Sequence, residues 1–166
     1  GCRGPAGSGE RERPGAGEKG LQSEFVYVYT GDGTAARKAA GSSPGAGTLT
    51  IVNGTGNTDA GFHLFGVCYE TDTGFITAPG YLTGFTTVAA NGVSFSGIPV
   101  SGDVHVIARR MVATRVITNY NGDTAGYTYY FIPDGRIPNN TATTLSNISF
   151  FDADLVEDAS HLIENY

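Results

Sequence analysis

From residue 48 to residue 151 the sequence is a succession of short runs in which β-branched and aromatic residues alternate with small polar ones, each run closed by Gly, Asn or Asp. Side chains along a strand point alternately to opposite faces, so a period of two suits a half-buried strand, whereas a helix repeats about every 3.6 residues. The runs fall at 48–53, 61–70, 74–78, 85–89, 93–98, 104–117, 127–133 and 143–151, which predicts about seven or eight strands. Even spacing of this kind is the pattern of an antiparallel sandwich or small barrel. The turn chemistry agrees. TDTG at 71–74 supplies a tight reversal in which Gly74 takes positive φ, and Asn91-Gly92 and Asp134-Gly135 are read as turns of the same sort.

Two runs carry finer expectations. In 104–117, alternation sets Val104, Val106, Ala108, Val112 and Val116 on one face, expected to meet the core, and His105, Arg109 and Arg115 on the other. Arg110 breaks this pattern, which asks for a bulge near Arg109 or a stem that snorkels to the rim. The run from Phe62 to Tyr69 is apolar on both faces, as suits a central strand covered by the core on one side and by a loop or a neighbouring chain on the other.

The flanks differ in character. Residues 1–47 form an expected flexible arm of Gly, Pro and charged residues, with a short strand at 25–29, because too few large apolar side chains are present to offset the entropy of ordering. Gly1, Gly4 and Gly7 keep a three-residue period, but the frame breaks from Glu10 onward, and a collagen helix needs glycine at every third place. Residues 152–166 are acidic and switch to helical spacing at Leu155, Ala159, Leu162 and Tyr166, which predicts a short terminal helix or a linker.

Charge narrows the partners. A formal net charge of -6 argues against nucleic acid, which is bound through clustered Lys and Arg. No apolar run approaches the ~20 residues that cross a bilayer, and no secretion signal opens the chain, so it reads as soluble without membrane insertion. Of the two cysteines, Cys68 reads as a small buried hydrophobe and Cys2 sits in the polar arm.

Candidate chemistry is sparse. His63, His105 and His161 lie in different elements without metal-ligand spacing, no G-x-S-x-G elbow presents a nucleophile, and the glycine-rich stretches lack a phosphate-loop ending. The expectation is therefore no catalytic residue, no cofactor and no metal. Asp152, Asp154, Glu157 and Asp158 are the densest carboxylates; they lack the glycine and closing glutamate of a calcium loop and read as a solvated face or a helix start. Sequons begin at Asn53, Asn139 and Asn147 and matter only in a eukaryotic secretory host. Most of the nine Tyr and nine Phe sit where a sandwich core needs them; Tyr120, Tyr81 and Phe75 fall in loops and are the candidates for a glycan or partner contact.

Three stretches, GFHLFGVCYETDTGFITAPG, VSFSGIPVSGDVHVIARRMVATR and YYFIPDGRIPNNTATTLSNISFFDADLVEDAS, resemble the immunoglobulin-like or fibronectin-type-III-like modules of tailed-bacteriophage virion proteins and related bacterial surface proteins. The likeness covers roughly residues 48–160. It implies an all-β protein with a single immunoglobulin-like antiparallel β-sandwich at 48–151. It also implies a non-enzymatic structural role in a virion or extracellular assembly, as a fibre, tail, decoration or capsid-associated protein. Expected partners are other subunits of the particle or surface assembly, with a homo-oligomer as the natural form and host glycan as a further contact. The alternative is a carbohydrate-binding or adhesin domain at a host cell surface. Two segments depart from the modules it resembles, the N-terminal arm and an insertion at 116–125 after the arginine pair.

Overall fold

A computed structural model describes residues 27–28, 37–38 and 42–155. The chain divides into two compact units, residues 1–39 and 40–166. In the first, β1 (Tyr27–Val28) pairs antiparallel with β2 (Arg37–Lys38). The expected strand at 25–29 is thus present in shortened form, with a partner inside a stretch expected to be loop.

The second unit holds β3 (Thr50–Gly54), β4 (Gly61–Thr71), β5 (Gly80–Thr87), β6 (Gly92–Ser96), β7 (Val106–Ala113), β8 (Tyr130–Pro138) and β9 (Leu145–Ile148). They form two antiparallel sheets, one of three strands in the order β9-β6-β3 and one of four in the order β5-β4-β7-β8. Phe65, Val67, Met111, Ala113 and Tyr130 from the larger sheet share a core with Val93, Phe95 and Ile148 from the smaller, closed by Leu49, Phe150 and Leu155. The architecture is a β-sandwich. The rings of Phe65 and Phe95 meet edge to face at 5.4 Å, the arrangement aromatic quadrupoles favour.

The four-stranded sheet is apolar on its outer face as well. Leu64, Cys68, Val112, Tyr129 and Phe131 form a second buried layer there, covered by Phe62, Ile76, Leu82, Ile117, Tyr120 and Tyr127. The second contact expected for β4 is therefore made by the chain's own loops, chiefly the segment between β7 and β8.

Two-sided burial also reverses the faces expected for β7. Met111 and Ala113, the odd positions, meet the inter-sheet core, while Val112 faces the outer layer and Val104 is 86% exposed. Where both faces are buried, hydrophobicity no longer distinguishes them. Between Glu70 and Thr71 the ladder shifts by one residue, making exposed Ile107 the bulge expected near Arg109. Arg109 is fully buried and donates to the carbonyls of Pro138 (2.7 Å) and Pro99 (3.3 Å) and to Asn140 Oδ1 (3.3 Å). Burial draws its pKa below the ordinary arginine value.

Other turn readings need correction. The TDTG reversal forms, with Gly74 at φ 88 and Thr71 N–H donating to Phe75 O, but residues 74–78 contribute only a bridge from Ile76 to Glu70. The strand beside β4 starts after Pro79, which has no N–H to give a ladder. Asp134-Gly135 lies inside β8: between the pairs Arg110↔Arg136 and Val112↔Phe131 the strand sets four residues, 132–135, against Met111 alone, an enlarged bulge with Asp134 at φ 61. The left-handed residue before β6 is Ala90 (φ 66). Gly92 starts the strand because a Cβ there would lie 2.5 Å from Thr55 O and 2.7 Å from Ile148 O.

Past β9, Asp152–Asp154 form one 3-10 turn and Leu155 is buried in the core. The rest of the expected C-terminal helix, residues 156–166, lies outside the described residues.

Candidate functional site

A departure from regular pairing follows β7. Ala113 makes its last pair with Tyr130, after which the two chains of the hairpin separate. The arm leaving β7 stays with β4: Thr114 N–H donates to Leu64 O at 2.9 Å and Ile117 N–H to Phe62 O at 2.8 Å. That continuation contains an extra residue, because Phe62 faces Ile117 while Phe65 faces Ala113. A bulge re-aims side chains and releases a backbone group. Val116 N–H, free of the ladder, donates to Asp152 Oδ2 at 2.9 Å.

Between the arms lies an open cleft of about 400 Å³. One wall carries Arg115, Thr118 and Asn119, the other Tyr127, Thr128 and Tyr130. Arg115 Nε donates to Leu155 O at 3.0 Å, Nη2 donates to the same oxygen, and its guanidinium lies 5.0 Å from the centroid of the Tyr130 ring. Tyr120 stacks on Phe62 of β4 at 4.6 Å, and its ring lies 6.3 Å from that of Tyr127 on the opposite arm. Tyr129, below them, has its phenol pKa pushed up to about 12, by burial first and then by Tyr120 and Tyr127.

The three aromatic residues nominated from sequence occupy separate settings. Tyr120 is half-buried in the outer layer. Tyr81 is the extra residue of a bulge in β5, at φ 54, with its N–H donating to Gly45 O. Its ring packs against the inter-sheet core and lines a second hollow of about 290 Å³ with Gly45, Gly47 and Thr124. Phe75 is half-buried in the β4–β5 turn, its N–H bonded to Thr71 Oγ1. Sequence reasoning missed Arg115, Thr118, Asn119 and Tyr127, although the insertion at 116–125 marked the region.

Several other titratable groups among the described residues hold the fold together. His63 is fully buried, donates from Nδ1 to Thr114 O at 2.8 Å and packs edge-on against Phe150. His105 pairs with Asp72 at 3.1 Å. Glu70 accepts from Arg136 and Arg110, whose guanidinium lies 3.9 Å over the Phe131 ring. Asp59 Oδ2 accepts from Asp152 N–H, and Asp154 Oδ2 from Phe151 N–H. The Asn139 amide is taken up by Ser101 and Val106. Among the described residues no group of three His, Cys, Asp or Glu side chains converges. Compared with known proteins, the chain matches no family model, no curated protein and no solved structure.

Proposed function

We propose that this chain is a non-enzymatic, immunoglobulin-like structural module of an extracellular assembly, a fibre, tail or capsid-associated protein of a tailed-phage particle that mediates subunit contacts. The observation that supports the immunoglobulin-like part of this reading is the strand connectivity. If β3 to β8 are labelled B, C, C′, E, F and G, the larger sheet has the order C′-C-F-G and the smaller sheet sets B beside E, as in immunoglobulin-type sandwiches. β9 departs from that plan: it follows G and takes the place on the far side of E that strand D occupies in the constant-type domain.

Apolar layers on both faces of the larger sheet favour a stiff body, and residues 1–39 supply a separate unit for engaging a neighbour. The test is the oligomeric state by light scattering, for the full chain and for a chain lacking residues 1–39. The deletion stops short of Gly45, whose carbonyl holds Tyr81 N–H. A defined homo-oligomer lost on deletion is expected; a monomer indifferent to it refutes the reading.

A further inference from the structure

We infer that the cleft between the diverging β7 and β8 arms binds a carboxylate-bearing saccharide, with Arg115 as the carboxylate contact. The inference concerns a site and a ligand class, and holds whether or not the chain belongs to a particle.

Three features of the cleft specify the ligand. Arg115 is the only formally charged residue among its described lining, so an anionic group entering the cleft has a guanidinium to meet. Asp152, bonded to Val116 N–H, does not line it. Its exposed polar lining includes a neutral hydroxyl and an amide, from Thr118 and Asn119, and the ring of Tyr127 also lines it. A hydroxyl and an amide match the donors and acceptors of a sugar ring, and an aromatic face offers apolar area with a polar edge. The volume, about 400 Å³, is at the small end of ligand clefts and fits one or two sugar units better than a peptide.

The walls are also held without a ligand. One arm is pinned to Phe62, Leu64, Asp152 and Leu155 and stacked on Phe62 through Tyr120, and the ring of Tyr127 on the other lies 6.3 Å from Tyr120. Binding to such a site costs little ordering. The gap opens where pairing of β7 with β8 ends at Ala113 and Tyr130, and the bulge at 115–116 lies on the wall that stays with β4.

Calorimetric titration of the full chain with glucuronate-, galacturonate- and sialate-bearing oligosaccharides tests this, with their carboxyl-reduced counterparts and inorganic phosphate as comparisons. At least one acidic sugar is expected to bind, its reduced counterpart at least about tenfold more weakly, since one charge-assisted contact is lost, and phosphate, which makes none of the ring contacts, no better than the reduced sugar. Arg115→Gln should weaken binding by a similar factor. Because Arg115 also holds Leu155 O, the second variant is Thr118→Ala with Asn119→Ala, two exposed residues whose loss should lower affinity severalfold and leave the unfolding midpoint unchanged. Binding to none of the three sugars, equal binding of the reduced forms, tight binding of phosphate, or affinity indifferent to both variants overturns the inference.

Discussion

Replacing Leu64 by Ala distinguishes a sandwich whose larger sheet is covered on both faces from one with a solvated outer surface. Leu64 is 1% exposed and lies in the outer layer with Cys68, Val112, Tyr129 and Phe131. The substitution removes the equivalent of three methylenes, at about 0.8 kcal/mol each, so the transfer loss alone is about 2.4 kcal/mol. Incomplete collapse of the cavity brings the total to about 3 kcal/mol. On a solvated face the same change would cost within about 0.5 kcal/mol. Phe65→Ala on the inner face of the same strand is the reference, with an expected loss of about 3–5 kcal/mol. Guanidinium unfolding followed by tyrosine fluorescence reads both, as a shift of midpoint at constant slope. Tyr120→Ala, which removes the stack on Phe62, should combine non-additively with Leu64→Ala, because both act on one layer. A loss below about 1 kcal/mol for Leu64→Ala, with Phe65→Ala severe, would refute two-sided packing.

Two further outcomes follow from particular contacts. Gly92→Ala should destabilise by about 1–3 kcal/mol, since its Cβ would meet backbone oxygens of Thr55 and Ile148 that have no rotamer to escape into; thermal unfolding of the variant reads the loss. Glu70 is held below its ordinary carboxyl value of 4.5, chiefly by the hydrogen bonds from Arg136, with Arg110 adding and burial opposing. A depressed folded pKa means that the stabilisation is complete above about pH 4.5 and is lost as pH falls through the folded value. Glu70→Gln should therefore cost on the order of 1 kcal/mol or less at pH 7 and flatten the acid limb of the stability profile. An acid limb identical in both proteins would contradict this assignment.

Strand-forming segments were legible in the sequence because alternation and turn residues are local signals. Thr50–Gly54, Gly61–Thr71 and Gly92–Ser96 lie within a residue or two of their expected positions. What alternation could not supply was which face was which in β7, since Arg109 is buried and both sides of the strand are covered. Nor could it distinguish the Asp134-Gly135 bulge from a turn, because both call for the same residues at positive φ. Arg115 was invisible as a site residue for a similar reason. Its position in the cleft depends on one extra residue between pairs distant in sequence, Phe62↔Ile117 and Phe65↔Ala113.

The irregular positions connect fold to site. A regular ladder satisfies its inner backbone groups and presents side chains at fixed intervals, so it sets their directions by alternation alone. At each bulge this chain spends a ladder bond and gains an orientation: Tyr81 turns toward Gly45 and Gly47, and Arg115 enters a cleft while Val116 N–H is satisfied by Asp152. Asp152 is in turn held through its own N–H by Asp59, and Leu155, buried three residues on, accepts from Arg115. The segment after β9 is thus coupled to the cleft at both ends of the bulge. Asp152→Asn, which leaves a neutral oxygen to accept from Val116, should preserve the fold better than Asp152→Ala. A shift in the amide resonances of Arg115 and Thr118 in the alanine variant alone would tie the shape of the cleft to this carboxyl group.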